Sequence, residues 1–210
     1  SNFTDFSAFE RMDGVSLRYV SQPGMLGDPD LILLPGTKNT MDDCQWLRES
    51  GMEALILRQA EKKTPIIGIC GGFQLLGEQM EDPHNVEHGG TMRGMGLLNT
   101  RTVFSEAKTR TQIRGVMERG VGLWSNWQGK KVTGYEIHMG VTENLGGCQE
   151  LVRLEDGRVD ALANEDGVRV SVVPSTRQKC ERCWKHLDSV GSNPNHPDVC
   201  ARCARVLDEE

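Results

Sequence analysis

A cysteine set among glycines, where an apolar run ends and a helical pattern begins, constrains the fold more than any other feature of the chain. The run Pro65–Ile69 has the continuous apolar character of a strand buried on both faces of a parallel sheet. It leads into the sequence Gly-Ile-Cys-Gly-Gly at 68–72, and a helix is predicted over 73–80. A nucleophile in this position lies on a tight strand-to-helix turn that only small neighbours permit.

Cys70 is therefore the candidate nucleophile. The turn would lift its thiol above the sheet, and the following helix N-terminus would favour the thiolate, whose free pKa is about 8.5. The backbone N–H of Gly71 would then help to hold an oxyanion. The alternative is a buried structural cysteine beside a pair of glycines that start a helix.

A second buried strand supports a parallel sheet. Asp30–Leu34 is an apolar run that ends at Pro35-Gly36-Thr37, and a helical stretch with one apolar face follows at 52–60. Alternating strands and helices predict a doubly wound, flavodoxin-like α/β fold, in which both strand ends face one crevice. The Gly36–Thr37 peptide is thus a candidate second oxyanion donor, although taken alone it is an ordinary strand-terminating turn.

The remaining elements are less regular. Val15–Val20 reads as a short strand, and Asp82–Gly96, rich in Gly, His and Pro, reads as a loop over the sheet edge. Later strands are expected at 102–104, 112–117 and 132–137. No apolar run approaches the roughly 20 residues that a membrane helix needs.

Several motifs, in the same order, resemble the C-terminal glutamine amidotransferase domain of cobyric acid synthase. They extend to about Val170 and include Ser1-Asn-Phe-Thr-Asp-Phe6, Leu33-Leu-Pro-Gly-Thr-Lys-Asn-Thr40, Gly68-Ile-Cys-Gly-Gly-Phe-Gln74 and Gly134-Tyr-Glu-Ile-His-Met-Gly140. The resemblance implies a class I amidotransferase in which Cys70 attacks the side-chain amide of glutamine, giving a glutamyl thioester and ammonia. It also implies a partner, an ATP-dependent synthetase domain absent from this chain, that amidates a corrin ring in cobalamin biosynthesis.

The same resemblance implies a catalytic histidine in a late Gly-Thr-Tyr-Leu-His-Gly-like motif. After Asp166-Gly167 this chain continues through Val168–Ser175 without a histidine. His138 is the best substitute by sequence, and a structural or substrate-pocket histidine is the alternative. His84 and His88, in a loop, are weaker candidates. We therefore expect an impaired glutaminase or, as the alternative, a catalytically dead amidotransferase fold.

The C-terminal segment carries a zinc signature. Two CxxC pairs are separated by sixteen residues, a spacing that aims four thiolates at one point and predicts a closed, structural zinc site on Cys180, Cys183, Cys200 and Cys203. The residues around these cysteines resemble the C-terminal zinc finger of isoleucyl-tRNA synthetase. This resemblance implies that the segment assists in tRNA binding. We therefore predict an amidotransferase domain at 1–173 and a Cys₄ finger at 174–210.

Charge and cysteine usage bear on partners and location. The net charge of −6 argues against a general nucleic-acid binder, but 177–205 carries a local excess of +3, which permits contact with tRNA. The alternative is a folded appendage whose charges are only solvated. The cysteine arrangement favours a reducing, cytoplasmic compartment over a disulfide framework. Because two unrelated families meet near Val170, we read the chain as a chimera, and Ser1 at its start suggests part of something longer.

Overall fold

The structure is a computed structural model, and it describes residue 6 and residues 9–119, 122–164, 180–182 and 189–208. The chain divides into two compact units. The first is Tyr19–Val173, and the second combines Asn2–Arg18 with Pro174–Glu210. The predicted domain limits of 1–173 and 174–210 stay a prediction.

The first unit opens with a parallel strand pair and three helices. Strands β1 (Ile32–Leu34) and β2 (Ile66–Gly68) pair in register from Ile32 opposite Ile66. Helices α1 (Thr40–Glu49) and α2 (Met52–Glu61) connect them, and α3 (Gly71–Leu75) follows β2. The two predicted buried strands and the α/β class are confirmed.

Local sequence explains where α1 and α2 begin and end. The side chain of Asn39 caps α1 by accepting a hydrogen bond from the Asp42 amide at 3.0 Å, and the acidic first turn suits the helix dipole. Gly51, with φ of 78°, then separates α1 from α2. Both helices bury one face in a core that also includes β1 and β2. Its α1 and α2 members include Met41, Cys44, Met52 and Ile56.

A six-stranded mixed sheet completes the first unit. Its strands are β3 (Gln79–Asp82), β4 (Gly90–Arg93), β5 (Thr100–Met117), β6 (Lys131–Asn144), β7 (Gln149–Leu154) and β8 (Val159–Ala163). The order is β4-β3-β5-β7-β8, and β6 pairs antiparallel with β5 along most of its length. The predicted strands at 102–104 and 112–117 are parts of the single strand β5.

Three local predictions are wrong. The helix predicted over 73–80 ends at Leu75, because residues from Gln79 pair with β4 and β5 instead. The region Asp82–Gly96 contains strand β4 as well as a loop. Val15–Val20 does not form a strand, and its Val15 and Tyr19 side chains are exposed.

The described part of the second unit is small. Helix α4 (Ala201–Asp208) contributes its buried residues, Cys203 and Ala204, to a separate apolar cluster that also contains Cys180, Val199 and Cys200. Among the described residues, no helix has both the length and the apolar character needed to cross a membrane.

Candidate functional site

Cys70 occupies the predicted tight turn between β2 and α3. Its backbone has φ of 53° and ψ of −113°, a conformation that costs a non-glycine residue about 1–3 kcal/mol. The turn is held by backbone hydrogen bonds from Ile69 N to Leu34 O (2.9 Å) and from Gln74 N to Cys70 O (3.1 Å). The surrounding structure therefore imposes a strained backbone on the candidate nucleophile.

The neighbouring glycines are required by close backbone contacts. A Cβ atom on Gly72 would overlap the carbonyl of Leu34 at the end of β1, and one on Gly68 would overlap the carbonyl of Gly72. A Cβ on Gly71 would lie 2.5 Å from the hydroxyl of Thr37. Any larger residue at these positions would push the turn off the two strand ends.

The two candidate oxyanion donors lie close to Cys70 and to each other. A Cβ built on Gly36 would be 3.5 Å from Cβ of Cys70, and one built on Gly71 would be 3.0 Å from the amide nitrogen of Thr37. The ends of β1 and β2 therefore bring Gly36, Cys70 and Gly71 together, as the parallel-sheet argument predicted. Their roles in catalysis stay predictions.

Strand β6 crosses close to the turn formed by residues 68–72, which we call the elbow. The half-buried Cys70 has its Sγ 3.5 Å from the carbonyl oxygen of Ile137, and Nε2 of Gln74 donates to the carbonyl of Met139 at 2.9 Å. The long β5–β6 ladder thus supplies one wall of the site, and Gln74 joins this wall to the elbow helix.

His138 is next to Ile137 on β6, and both nitrogens of its ring lie within hydrogen-bond distance of other residues of β6. Nδ1 lies 2.9 Å from the carbonyl oxygen of Gly140, and Nε2 lies 2.8 Å from Oε1 of Glu136. These two contacts with oxygen atoms on β6 itself hold the ring in place.

Glu136 is the centre of a charged cluster with His138, Arg158 and Asp160. Burial raises the pKa of Glu136, but the hydrogen bonds from His138 and Arg158 outweigh this and hold the pKa below its ordinary value. Burial and, secondly, the Glu136 charge raise the pKa of Asp160 to about 6. Oδ2 of Asp160 is buried without a hydrogen-bond partner among the described residues.

The two loop histidines are placed differently. His88 pairs with Asp42 at 2.7 Å between Nδ1 and Oδ1, on the exposed first turn of α1, and His84 is exposed. Besides Asp42 on α1, His88 bonds through its backbone amide to Asp82 at the end of β3.

Sequence reasoning missed the polar residues that link α1 to the elbow. Glu87 accepts hydrogen bonds from the amides of Thr40 (2.7 Å) and Met41 (3.2 Å), and the hydroxyl of Thr40 lies 3.2 Å from Oε1 of Gln74. Gln74 could have been suspected from its place in the elbow motif. Glu87 carried no sequence signal, because its partners are more than 40 residues away.

Three of the four predicted zinc ligands form a cluster. The thiol sulfurs of Cys180, Cys200 and Cys203 all lie within 4.8 Å of one another, and all three residues are buried. Converging buried thiols fit the donor set of a structural zinc ion. Cys183 lies outside the described residues.

A family model for the CobB/CobQ-like glutamine amidotransferase domain matches residues 1–176. The chain belongs to this family. A second model, for the zinc finger found in FPG and IleRS, matches residues 177–206. Both resemblances inferred from the motifs are thereby confirmed.

Curated relatives include cobyric acid synthases from several bacteria. The protein from Lachnoclostridium phytofermentans is 52% identical over 180 residues, which is 81% of this chain and 35% of that protein. The one from Moorella thermoacetica is 47% identical over 175 residues, 79% of this chain and 33% of that protein. The chain thus spans about a third of the length of these relatives.

Two solved structures share the fold. One, described as a glutamine amidotransferase, aligns with a TM-score of 0.60 at 21% identity, covering 80% of this chain and 82% of the other. PurLQS from Thermotoga maritima aligns with a TM-score of 0.62 at 20% identity, covering 99% of this chain and 92% of the other. At these identities the likeness establishes the fold alone.

Proposed function

We propose that this chain is the glutaminase part of a cobyric acid synthase-like amidotransferase. The observation that carries the proposal is the strained elbow at Cys70, with two backbone amides beside it, in a chain whose family is defined by glutamine amidotransferase domains. Glutamine is the substrate, and the ammonia passes to a separate ATP-dependent synthetase domain, as the resemblance to cobyric acid synthase implies.

The chemistry follows from the elbow. The Cys70 thiolate attacks the side-chain amide carbon of glutamine, and the amides of Gly71 and of the Gly36–Thr37 region stabilise the oxyanion. The carbon–nitrogen bond then breaks, ammonia leaves with an added proton, and a thioester remains. Water hydrolyses the thioester to glutamate and restores the thiol.

We propose further that turnover is slow. The chain has no late histidine motif, and both ring nitrogens of His138 face acceptors, which supports a structural role for that residue. A positioned base contributes on the order of 10²–10⁴-fold. An electrophilic glutamine analogue should therefore label Cys70 while glutamine hydrolysis stays far below that of a full-length relative.

The test compares this chain with Cys70→Ser and His138→Ala. Slow hydrolysis that Cys70→Ser abolishes and His138→Ala leaves unchanged is the expected result. Brisk hydrolysis that His138→Ala abolishes would make His138 the base and overturn the slow-turnover proposal. If the analogue leaves Cys70 unlabelled, the chain is the catalytically dead fold instead.

We propose a second function for the tail, zinc binding with contact to tRNA. The clustered thiols and the zinc-finger match support the metal, and the local excess of +3 supports nucleic-acid contact. Deleting residues 176–210 should abolish any tRNA mobility shift, whereas an unchanged shift would assign tRNA binding to the main domain. The arrangement of the cysteines in two CxxC pairs also supports a reducing, cytoplasmic compartment.

A further inference from the structure

We propose that Glu87 is a positioning residue for the oxyanion-binding amides beside Cys70, an inference that rests on the proposed glutaminase function. Glu87 lies in the loop between β3 and β4 and is half-buried. Its carboxylate accepts hydrogen bonds from the first turn of α1. That turn lies close to Gly71, the residue after the candidate nucleophile.

The conformation of the loop between β3 and β4 places Glu87 next to α1. The fully buried carboxylate of Asp82 accepts four backbone hydrogen bonds, from residues 86 to 89, at 2.8–3.1 Å. Burial raises the pKa of Asp82, but these four bonds outweigh it and the pKa stays below its ordinary value. Asp82 therefore remains ionised at neutral pH and holds the loop in one conformation.

Glu87 completes the cap of α1. The side chain of the local cap, Asn39, accepts a hydrogen bond from the amide of Asp42, and its backbone carbonyl accepts one from the amide of Asp43. Oε2 of Glu87 accepts hydrogen bonds from the two amides that precede Asp42 in the chain, those of Thr40 at 2.7 Å and Met41 at 3.2 Å. Because the first amides of a helix have no partner within it, these bonds fix where α1 begins.

The start of α1 is in turn a wall of the site. A Cβ on Gly71 would lie 3.1 Å from the Thr40 hydroxyl and 3.0 Å from the Thr37 amide, so the chain entering α1 lies directly on the elbow. The Thr40 hydroxyl is also 3.2 Å from Gln74 Oε1, and Gln74 anchors β6 through Met139. A shift of Thr40 would therefore move the Gly36–Thr37 region away from Gly71.

The expected effect is on chemistry that needs the oxyanion site. A chloroketone analogue of glutamine alkylates a thiolate with loss of chloride, and its carbonyl oxygen takes the place of the amide oxygen. Iodoacetamide alkylates the same thiolate with loss of iodide and needs only an accessible sulfur. The ratio of the two labelling rates at Cys70, followed by mass spectrometry of its peptide, reports the oxyanion site separately from thiol reactivity.

Glu87→Ala should lower this ratio at least about tenfold, since misplacement by about 1 Å can cost on the order of 100-fold. Glu87→Gln keeps a carbonyl acceptor for the α1 amides and should retain at least about half of the ratio. The matched control is Glu53→Ala, which removes a buried carboxylate that takes no part in capping α1 and pairs with Arg48 at 2.7 Å. It should leave the ratio within about twofold.

The inference is overturned if Glu87→Ala leaves the ratio within twofold, or if Glu53→Ala lowers it equally. Should Glu87→Ala fail to fold, Thr40→Val against Thr40→Ser tests the same path, and equal ratios for the two would also overturn it. If wild-type Cys70 reacts with iodoacetamide but never with the chloroketone, the proposed function itself fails. That outcome differs from one in which the chloroketone labels Cys70 but the ratio of labelling rates is the same in wild type and Glu87→Ala, which overturns only the role of Glu87.

Discussion

At the scale of single residues, the backbone of Cys70 is the most informative feature. A positive φ with ψ near −113° is unfavourable for any residue with a Cβ, yet the turn imposes it on a cysteine. Strain at one residue is tolerated because hydrogen bonds from Ile69 and Gln74 fix the turn on both sides. Such strain is typical of functional sites, where a side chain must be held away from its sheet.

Replacing Cys70 separates this strain from the thiol. Cys70→Gly should be more stable than Cys70→Ala by about 1–2 kcal/mol, because glycine adopts the conformation without a Cβ clash. Urea unfolding of both variants in one buffer measures the difference. At Gln45, an exposed position in the middle of α1, the order should reverse, with alanine more stable than glycine by about 1 kcal/mol. An alanine variant at Cys70 as stable as the glycine one would contradict the strain argument.

At the scale of elements, the site is formed where α3, the end of β1, the start of α1 and strand β6 meet. Gly72 allows α3 to approach the end of β1, because a Cβ atom at this position would overlap the carbonyl groups of Leu34 and Pro35. Gln74 and Thr40 join the helices, and Gln74 also reaches β6.

Gly72→Ala should destabilise the fold by forcing the turn at Cys70 away from the end of β1. The new methyl group would overlap the Leu34 carbonyl, and overpacking of this kind costs about 1–3 kcal/mol or more. Thermal unfolding, followed by circular dichroism, should show a clearly lowered midpoint. Gly24→Ala is the control, because open space surrounds Gly24 and its midpoint should hardly change. Equal midpoints for the two variants would rule out the close approach.

The cluster on β6 and β8 predicts a pH effect on stability. The pKa of Asp160 is raised to about 6 in the folded protein, so the folded state binds more protons than the unfolded state between about pH 4 and 6. Asp160 therefore costs stability as the pH rises through this window. Relative to wild type, Asp160→Asn should gain stability from pH 4 to pH 7, by on the order of 2–3 kcal/mol.

Asp156→Asn is the control for that measurement. Hydrogen bonds from the backbone and then the side chain of Arg158 lower the pKa of the exposed Asp156. Its contribution has the opposite sign, being present above the unfolded pKa and lost at lower pH. Urea unfolding at several pH values should thus show no gain for this variant at pH 7, and a gain equal to that of Asp160→Asn would refute the assignment.

At the scale of the whole molecule, two families meet in one chain. Residues 1–176 match the amidotransferase family and residues 177–206 match the zinc finger, while the compact units group residues 2–18 with the C-terminal segment. The described part of that segment has only a small apolar cluster, most of which is cysteine. An apolar cluster of this size favours stabilisation by a metal or a similar cross-link.

Purified protein should contain close to one zinc per chain without added metal, as measured by elemental analysis. Cys200→Ser should remove most of it, since the remaining thiols no longer complete a tetrahedral shell. Cys148→Ser, a change outside the cluster, should leave the zinc content unchanged. A zinc content near zero in wild-type protein whose tail is folded would disprove the site.

The sequence by itself determined the features that depend on local sterics and spacing. The glycines around Cys70 predict the elbow because only they fit its turn, and the apolar runs predict β1 and β2 because buried parallel strands need no polar face. The paired CxxC turns likewise predict the thiol cluster. In each case the residues that matter lie within a few positions of one another, or in short motifs that fold as units.

Only the tertiary structure decided what distant residues do to these motifs. It ended α3 at Leu75, because residues 79–82 gain partners in the mixed sheet, and it left 15–20 outside any strand. It turned both nitrogens of His138 toward acceptors and brought Glu87 to α1 across 47 residues. Pairings between such distant residues depend on how the strands and helices pack, which no local pattern encodes.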